Sequence, residues 1–423
     1  MQFTKNLPAG MYQVVLVDRN NYHCFQPLLY QVATSGLDPA SIAFPLRKTL
    51  RNKDEFYFRI AEVEEVLSDQ NTIRTSTGDL TYDYLVLATG SATNFFGNDK
   101  LEQNGMAMKN IPEALNIRSL LLQNFEKALL TDDLKEREAL MNVVIVGGGP
   151  TGVELAGAIA ELKRHVLPSD YPDLDFRRMR IQLLEAGEAL LAGMNKASSS
   201  KALRYLRDIG VEVWLKTAVE AYDGKAINTN TKTLPARTMI WAAGVHCKPP
   251  KGLDAEALVK NQRIAVDEFN RVKNYENVFA VGDAACMKSD AFPNGHPMVA
   301  QPAIQQAKNL AKNFVREYKE KEWKPFKYRD LGSMATIGRR KAVAEIIGLK
   351  MQGAFAWLVW LFVHLMALVG FRNRLVVFVN WSYNFINYNR DIRLIIRPFE
   401  PTTSNGEHND KFENSAAAEV KAE

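Results

Sequence analysis

The stretch VVIVGGGPTGVELAGAIAEL, residues 143–162, holds the most chemically specific spacing in the chain. A β-branched run leads into G-x-G-x-x-G at Gly147, Gly149 and Gly152, and a helix-forming run follows. Strand before and helix after is the context in which this motif binds a dinucleotide. The first glycine permits a tight turn, the second lets a pyrophosphate reach the backbone, and the third lets helix and strand pack closely. Pro150 and Thr151 open the helix, where free N–H groups attract phosphate. The matching carboxylate is expected where the next strand, RIQLLEAG, ends on Glu185. Glu185 stands about 33 residues past Gly152, and the insertion RHVLPSDYPDLDFRR accounts for the long spacing. A carboxylate there accepts hydrogen bonds from both ribose hydroxyls and repels a 2′-phosphate, favouring NADH over NADPH. A solvated loop glutamate is the alternative. Glu154, two residues beyond Gly152, reads either as an acid stabilising the first helical turn or as a catalytic carboxylate facing the cleft and contacting the nicotinamide.

Three other segments end strands on small or acidic residues: Asp18, Ala88-Thr89-Gly90 and Gly282-Asp283. Open α/β sheets bind their ligands at such strand ends. Together these segments predict a second, discontinuous nucleotide domain, with the unit that starts at Met141 inserted into it. That inserted unit closes on MIWAAGV, with Ala243 and Gly244 after its last strand. A strand-end acid such as Asp18 calls for a glycine-rich turn about 20 residues earlier. The preceding MQFTKNLPAGMYQVVLV contains none.

A chain of 423 residues has room for two or three domains, and 47% apolar content supports real cores. The net charge of +5 comes without basic tracts interleaved with aromatics, which argues against nucleic-acid binding. The N-terminus lacks the apolar core of a secretory leader. Cys24, Cys247 and Cys286 stand far apart with no C-x-x-C, so reduced thiols are expected and a dithiol reductase is disfavoured. No metal site is predicted.

Strands and helices alternate from about residue 10 to 290, as in an α/β protein with parallel sheets. Helices are expected over 112–130 and 300–318, and a strand over 82–90. From Ala354 the character changes: AFAWLVWLFVHLMALVGF has His364 as its only polar side chain and stops short of the roughly 20 residues needed to span a bilayer. Trp357 and Trp360 read as interface-seeking side chains, and LVVFVNWSYNFI (375–386) is a second apolar piece. Arg372, Arg374, Arg390, Arg393 and Arg397 surround it. This pattern predicts a helix pair lying in one leaflet and drawn to anionic lipid over residues 354–397, with a spanning helix or a dimerisation face as alternatives. The polar residues 401–423 read as a disordered tail.

HCFQPLLYQVATSGL, LATGSAT, VVIVGGGPTGVELAG, WAAGV, FAVGDAA, AQPAIQQA and LGSMATIG run collinearly over roughly residues 12–340. In that order they resemble the type II NADH dehydrogenases, single-subunit NADH:quinone oxidoreductases that do not pump protons. The resemblance implies two Rossmann-like, glutathione-reductase-like domains plus C-terminal amphipathic membrane-anchoring helices. Its division would be 1–111 and 251–345 for the FAD-binding domain, 112–250 for the NADH-binding domain, 346–400 for membrane association and 401–423 for the tail. It implies Asp18 on the adenosine ribose of FAD, the Val63 backbone near the adenine, and Ala88, Thr89 and Gly90 by the pyrophosphate. Gly282 and Asp283 would meet the ribityl chain, and Gln26, Pro27 and Leu28 would lie near the isoalloxazine. For Asp283 a turn-forming role, and for the Gln26 loop simple packing, are the alternatives.

Ala300, Gln301, Ala303 and Gln305 resemble the family's quinone-site helix, where small residues admit the quinone head and an amide bonds its carbonyl. Surface glutamines on an ordinary helix are the alternative. The implied reaction passes hydride from NADH to FAD and two electrons to a membrane quinone of a respiratory chain. The protein would sit monotopically on the cytoplasmic face of the inner membrane, with a homodimer left open. A sulfide:quinone oxidoreductase using Cys247 and Cys286, and a catalytically impaired NADH-binding membrane protein, are the rival readings. The family pattern also puts a first strand with its own G-x-G-x-x-G ahead of Met1. A native start about 15–25 residues upstream, the length of strand plus loop in a ~30-residue βαβ unit, is therefore expected.

Overall fold

The computed structural model describes residues 1–51, 55–387 and 392–400. The expected tail and Arg390 lie outside the described residues.

The β-branched run VVLVD forms strand β1 (Val14–Asp18), which pairs in parallel with β2 (Phe56–Ile60). A 3-10 turn over Gln26–Leu28 leads into the short helix α1 (Leu29–Ala33). Strand β3 (Val63–Leu67) begins an antiparallel three-stranded sheet, and β4 (Leu85–Leu87) follows it. The expected strand over 82–90 is thus confined to its apolar centre, because Ala88-Thr89-Gly90 turns away at its end.

The inserted unit is a five-stranded parallel sheet. Its strands are β5 (Met106–Ala107), β6 (Val143–Val146), β7 (Ile181–Leu184), β8 (Val211–Trp214) and β9 (Thr238–Trp241), in the spatial order β5-β9-β6-β7-β8. Strands β6, β7 and β9 are buried along their whole length, as both-sided coverage of a parallel sheet requires. One face packs on α2 (Ile111–Leu130) and α3 (Pro150–His165) through Ile117, Leu121, Val153 and Ile159. The other face meets Tyr222, Ile227 and Leu234 of a small antiparallel sheet. Helix α2 starts where it does because Asn110 caps it: its side chain accepts from the Glu113 amide at 2.9 Å and donates to the Glu113 carboxylate at 2.8 Å. The chain leaves and re-enters the first domain side by side, since Ala92–Thr93 pairs with Val245–His246.

Strand β10 (Val278–Ala280) returns to the first domain and pairs in parallel with β4, Ala280 opposite Leu87. Helix α4 (Ala300–Tyr318) seals that pair, with Leu310, Ala311 and Phe314 against Phe279. A meander of β11 (Ser333–Gly338), β12 (Lys341–Ile346) and β13 (Leu349–Gln352) follows. It reaches α3 closely, because a Cβ on Gly157 would collide with the backbone oxygen of Ile337.

The long apolar stretch from Ala354 breaks at Gly370, whose φ is +87°. It yields α5 (Gly353–Ala367) and α6 (Phe371–Asn387) rather than one helix. Among the described residues no helix is long and apolar enough to cross a membrane.

Candidate functional site

Two strand-end clusters and one buried carboxyl form the candidate site. At the end of β6, Gly147 has a φ of +113°, and a Cβ there would strike the Ala242 backbone at 2.6 Å. Ala242 and Ala243 follow β9, with Gly244 next, so the two strand ends meet across this glycine. A Cβ on Gly152 would collide with the Gly147 oxygen, which is the close helix–strand packing read from the motif. At Gly149 the same atom would meet nothing within 4 Å. Gly149 caps α3 without a side-chain hydrogen bond, and Pro150 and Thr151 are exposed in its first turn. The helix end therefore offers free N–H groups to an anion. Glu185 follows β7 and curls back over the loop, accepting from the amides of Gly148 and Gly187, both at 2.6 Å. It is tied into the loop by these two bonds while remaining partly exposed.

The second cluster lies at the ends of β4 and β10. Ala88 and Thr89 are exposed there, and Gly90 and Gly282 take φ values of +70° and +72°. Asp283 accepts from Ser91 Oγ at 2.5 Å and faces Lys109 Nζ at 3.7 Å. The Lys109 carbonyl in turn accepts from Gln26 Nε2 at 3.1 Å, with Pro27 exposed beside it. Gln26 and Asp283, far apart in sequence, are thus held by one lysine. Asp18 ends β1 and accepts from the Asn20 amide at 2.8 Å, while burial raises its pKa. Val63 opens β3 two residues after Ala61, whose amide donates to the backbone carbonyl of Asp18. Gln306 of α4 is fully buried and accepts from the Gly282 amide at 2.8 Å, while its Nε2 has no partner among the described residues. An orphaned buried donor beside exposed strand ends suits a bound polar group. Lys109 lies in no motif, while Ser91 and Gln306 fall inside LATGSAT and AQPAIQQA but are not distinguished there from their neighbours.

Glu154 is only 8% exposed, so the first-turn helix-stabilising reading does not describe it. Its Oε1 accepts from the Thr336 amide of β11 at 3.3 Å and from Trp360 Nε1 of α5 at 3.2 Å. Burial pushes its carboxyl up to about 8. The group points toward the apolar helix pair.

Several expectations need correction. Trp360 is buried against Glu154, with 1% exposure, instead of sitting at a lipid interface. The amides of Gln301 and Gln305 are already engaged. Gln301 donates to the Gly332 carbonyl and accepts from the Leu331 amide, and Gln305 does the same with both backbone groups of Arg329. They clamp the segment leading to β11. Ala300 and Ala303 lie on the same helix, Ala303 packed toward Gly282. In the basic fringe, Arg393 forms an ion pair with Asp170, Arg397 donates to Asn116, and Arg374 donates to the Leu368 carbonyl. Of the described arginines in that fringe, Arg372 and Arg397 are exposed, and Arg372 is the one on a helix. All three cysteines are free. Cys247 donates to the Asp283 carbonyl, and burial pushes its thiol up to about 11, far from a reactive thiolate. Among the described residues no acidic, cysteine or histidine group could hold a metal ion.

Residues 1–307 match the pyridine nucleotide-disulphide oxidoreductase family, and residues 331–391 match the NDH2 C-terminal domain. The chain is 37% identical over 400 residues to type II NADH:quinone oxidoreductase NdhA of Mycobacterium tuberculosis, covering 90% of this chain and 84% of that protein. In fold it is similar to NDH2 from Plasmodium falciparum solved with NADH, at a TM-score of 0.84 and 23% identity, over 94% of this chain and 97% of that one. The sulfide:quinone oxidoreductase of Aquifex aeolicus is less similar, with a TM-score of 0.67 and 18% identity over 86% of this chain and 87% of that one. The chain belongs to the pyridine nucleotide-disulphide oxidoreductases and, within them, to the type II NADH:quinone oxidoreductases.

Proposed function

We propose that this chain oxidises NADH and reduces a membrane quinone, using FAD held in the first domain. Bound FAD supplies a two-electron carrier between a hydride donor and a quinone. The observation that carries the reading is the pair of strand-end clusters, one in each of two domains that are joined through the Ala92–Thr93 and Val245–His246 ladder.

In the inserted domain, the Gly149 opening and the bare N-terminus of α3 would take the pyrophosphate of NADH. Glu185 would turn its carboxylate to the ribose hydroxyls. In the first domain, Asp18 would hold the adenosine ribose beside Val63. Ala88, Thr89 and Gly90 would lie along the phosphates, and Gly282 and Asp283 along the ribityl chain. Gln26, bonded to the Lys109 carbonyl, and Pro27 beside it would border the flavin ring. The small side chains of Ala300 and Ala303 would admit a quinone head along α4, beside the segment that Gln301 and Gln305 clamp. Glu154 would hold a proton at its carboxyl in a water-poor site.

Attachment to the cytoplasmic surface of a membrane would use the outer faces of α5 and α6. Phe355 and Phe362 are each 64% exposed and Phe371 is 80% exposed. Such side chains suit one leaflet of a bilayer.

The test is NADH-dependent reduction of a soluble quinone by the purified chain, with flavin absorbance read on the same sample. Turnover with about one flavin per chain supports the reading. A colourless protein, or one that ignores NADH, overturns it.

A further inference from the structure

Glu154 is buried, and its carboxyl receives one hydrogen bond from the meander and one from the apolar helix pair. The second donor, Trp360, is itself held on two sides. His364 stacks on the indole at a centroid distance of 4.1 Å, and its Nδ1 lies 2.8 Å from the Trp360 carbonyl one turn back. Trp381 of α6 packs against it at 5.7 Å and donates from its own Nε1 to Gln31 Oε1 at 2.8 Å. Phe355, Leu358 and Phe362 of the same helix stand outward. An indole wedged this firmly, with its only N–H aimed at a buried carboxyl, fixes where that carboxyl points.

We infer that Trp360 is a positioning residue for Glu154, tying its carboxyl to the seating of the apolar helix pair. The inference rests on the proposed role of Glu154 in the reaction. An N–H directed at a carboxylate favours its charged form, so removing that donor makes the proton harder to lose. Titratable side chains on the segments packed around the pair include His364, Tyr30, Glu161, Lys341 and Glu345, with Arg339 in the β11–β12 turn. Helix α3 further carries Lys163, Arg164 and His165 in its last turn, β13 carries Lys350, and α6 carries Arg372, Arg374 and Tyr383. Glu161 accepts from the Arg339 amide, Glu345 accepts from Asn195, Lys341 lies over the Tyr205 ring, and the Tyr30 hydroxyl accepts from Gln31. Burial holds His364 neutral, at about 4. None of these groups is a cause of the Glu154 shift, which comes from burial, opposed by the Thr336 and Trp360 hydrogen bonds.

The test compares pH profiles of NADH:quinone turnover for the full chain, W360F, W360H, E154Q and the double variant W360F/E154Q. The limb that E154Q removes should move by about half to one pH unit to higher pH in W360F. It should return toward the wild-type position in W360H, which keeps a ring N–H. W360F should have no such effect on the E154Q background. If E154Q leaves every limb in place, the catalytic reading of Glu154 falls. If E154Q removes a limb that W360F does not move, the inference falls and that reading stands. If W360F does not fold, the indole ¹⁵N–H spectrum of the unaltered protein decides. One indole signal should titrate with a midpoint near 8 and lose that titration in E154Q. No titrating indole would overturn the inference.

Discussion

The Gly148 amide donates to Glu185 Oε2 at 2.6 Å, across 37 residues of sequence, so the acid that ends one strand is locked onto the glycine loop that ends its neighbour. Parallel pairing of β6 with β7 brings the two strand ends level, Val146 opposite Leu184. With a ribose in place, this carboxylate would exchange a backbone partner for hydroxyls without moving far. E185Q keeps the size and loses the charge. It should raise the KM for NADH about 10- to 100-fold, the scale of one charge-assisted hydrogen bond, and narrow the preference over NADPH. Steady-state kinetics with both nucleotides measure this. An unchanged ratio of the two kcat/KM values would remove Glu185 from the site.

Asp283 is the acid on which the first domain's cluster converges. It joins Ser91 and Lys109, and Lys109 carries the link to Gln26. D283A should leave the chain folded, because its partners are part-exposed and water can replace them, yet cut the flavin retained through purification several-fold. K109M should lose less, since the ion pair at 3.7 Å is long and partly screened. Flavin absorbance per chain reads both. Full flavin content in D283A would contradict its proposed place on the ribityl chain.

Gln301 and Gln305 separate two readings that the sequence left open. Each amide makes two hydrogen bonds to the backbone of residues 329–332. Q305A should therefore lower stability by about 1–2 kcal/mol, since two backbone groups lose their partner at a part-exposed site. The KM for a soluble quinone should change less than twofold. Thermal unfolding and quinone titrations give the two numbers. A large KM change with an unmoved Tm would restore the amide to the quinone.

Glu154 also makes stability depend on pH. Its folded-state pKa of about 8 lies above the ordinary 4.5, so the folded protein keeps a proton that the unfolded chain has released between those values. The resulting stability is fully present below about 4.5, declines as pH rises, and is lost past about 8, at a slope near 1.4 kcal/mol per pH unit. E154Q should flatten this slope and be the more stable form at pH 8. Denaturant midpoints from pH 5 to 8.5 measure it, and parallel curves for the two proteins would show that Glu154 is not the titrating group.

How far the sequence was legible follows from the range of each contact. The glycine loop, α3 and Glu185 were readable because strand, turn and helix follow one another and each step has a local pattern. Helix α4 formed over 300–318 for the same reason. The surroundings of Glu154 were hidden, since Thr336 and Trp360 lie 182 and 206 residues away. Trp360 looked like an interface residue because α5 is apolar on every side, which leaves the sequence no means of choosing its inner face. The glutamines of α4 look the same in sequence whether they meet water, a ligand or a neighbouring backbone. Lys109 joins two segments that no single stretch contains.

The outer faces of α5 and α6 give the final prediction. Phe355, Leu358 and Phe362 share one side of α5 and are all more than half exposed. Burying a phenyl ring is worth about 2 kcal/mol, so a charge in its place at two positions should weaken partition into a bilayer by well over tenfold. F355D/F362D should move from the pellet to the supernatant when sedimented with anionic phospholipid vesicles, while its turnover with a soluble quinone persists. R393A should sediment as the unaltered protein does, because Arg393 is engaged by Asp170 rather than free for lipid. Arg372, exposed beside Phe371, is the better candidate for a headgroup, and R372E should make sedimentation more sensitive to salt. Undiminished sedimentation of F355D/F362D would mean that these faces do not meet the membrane.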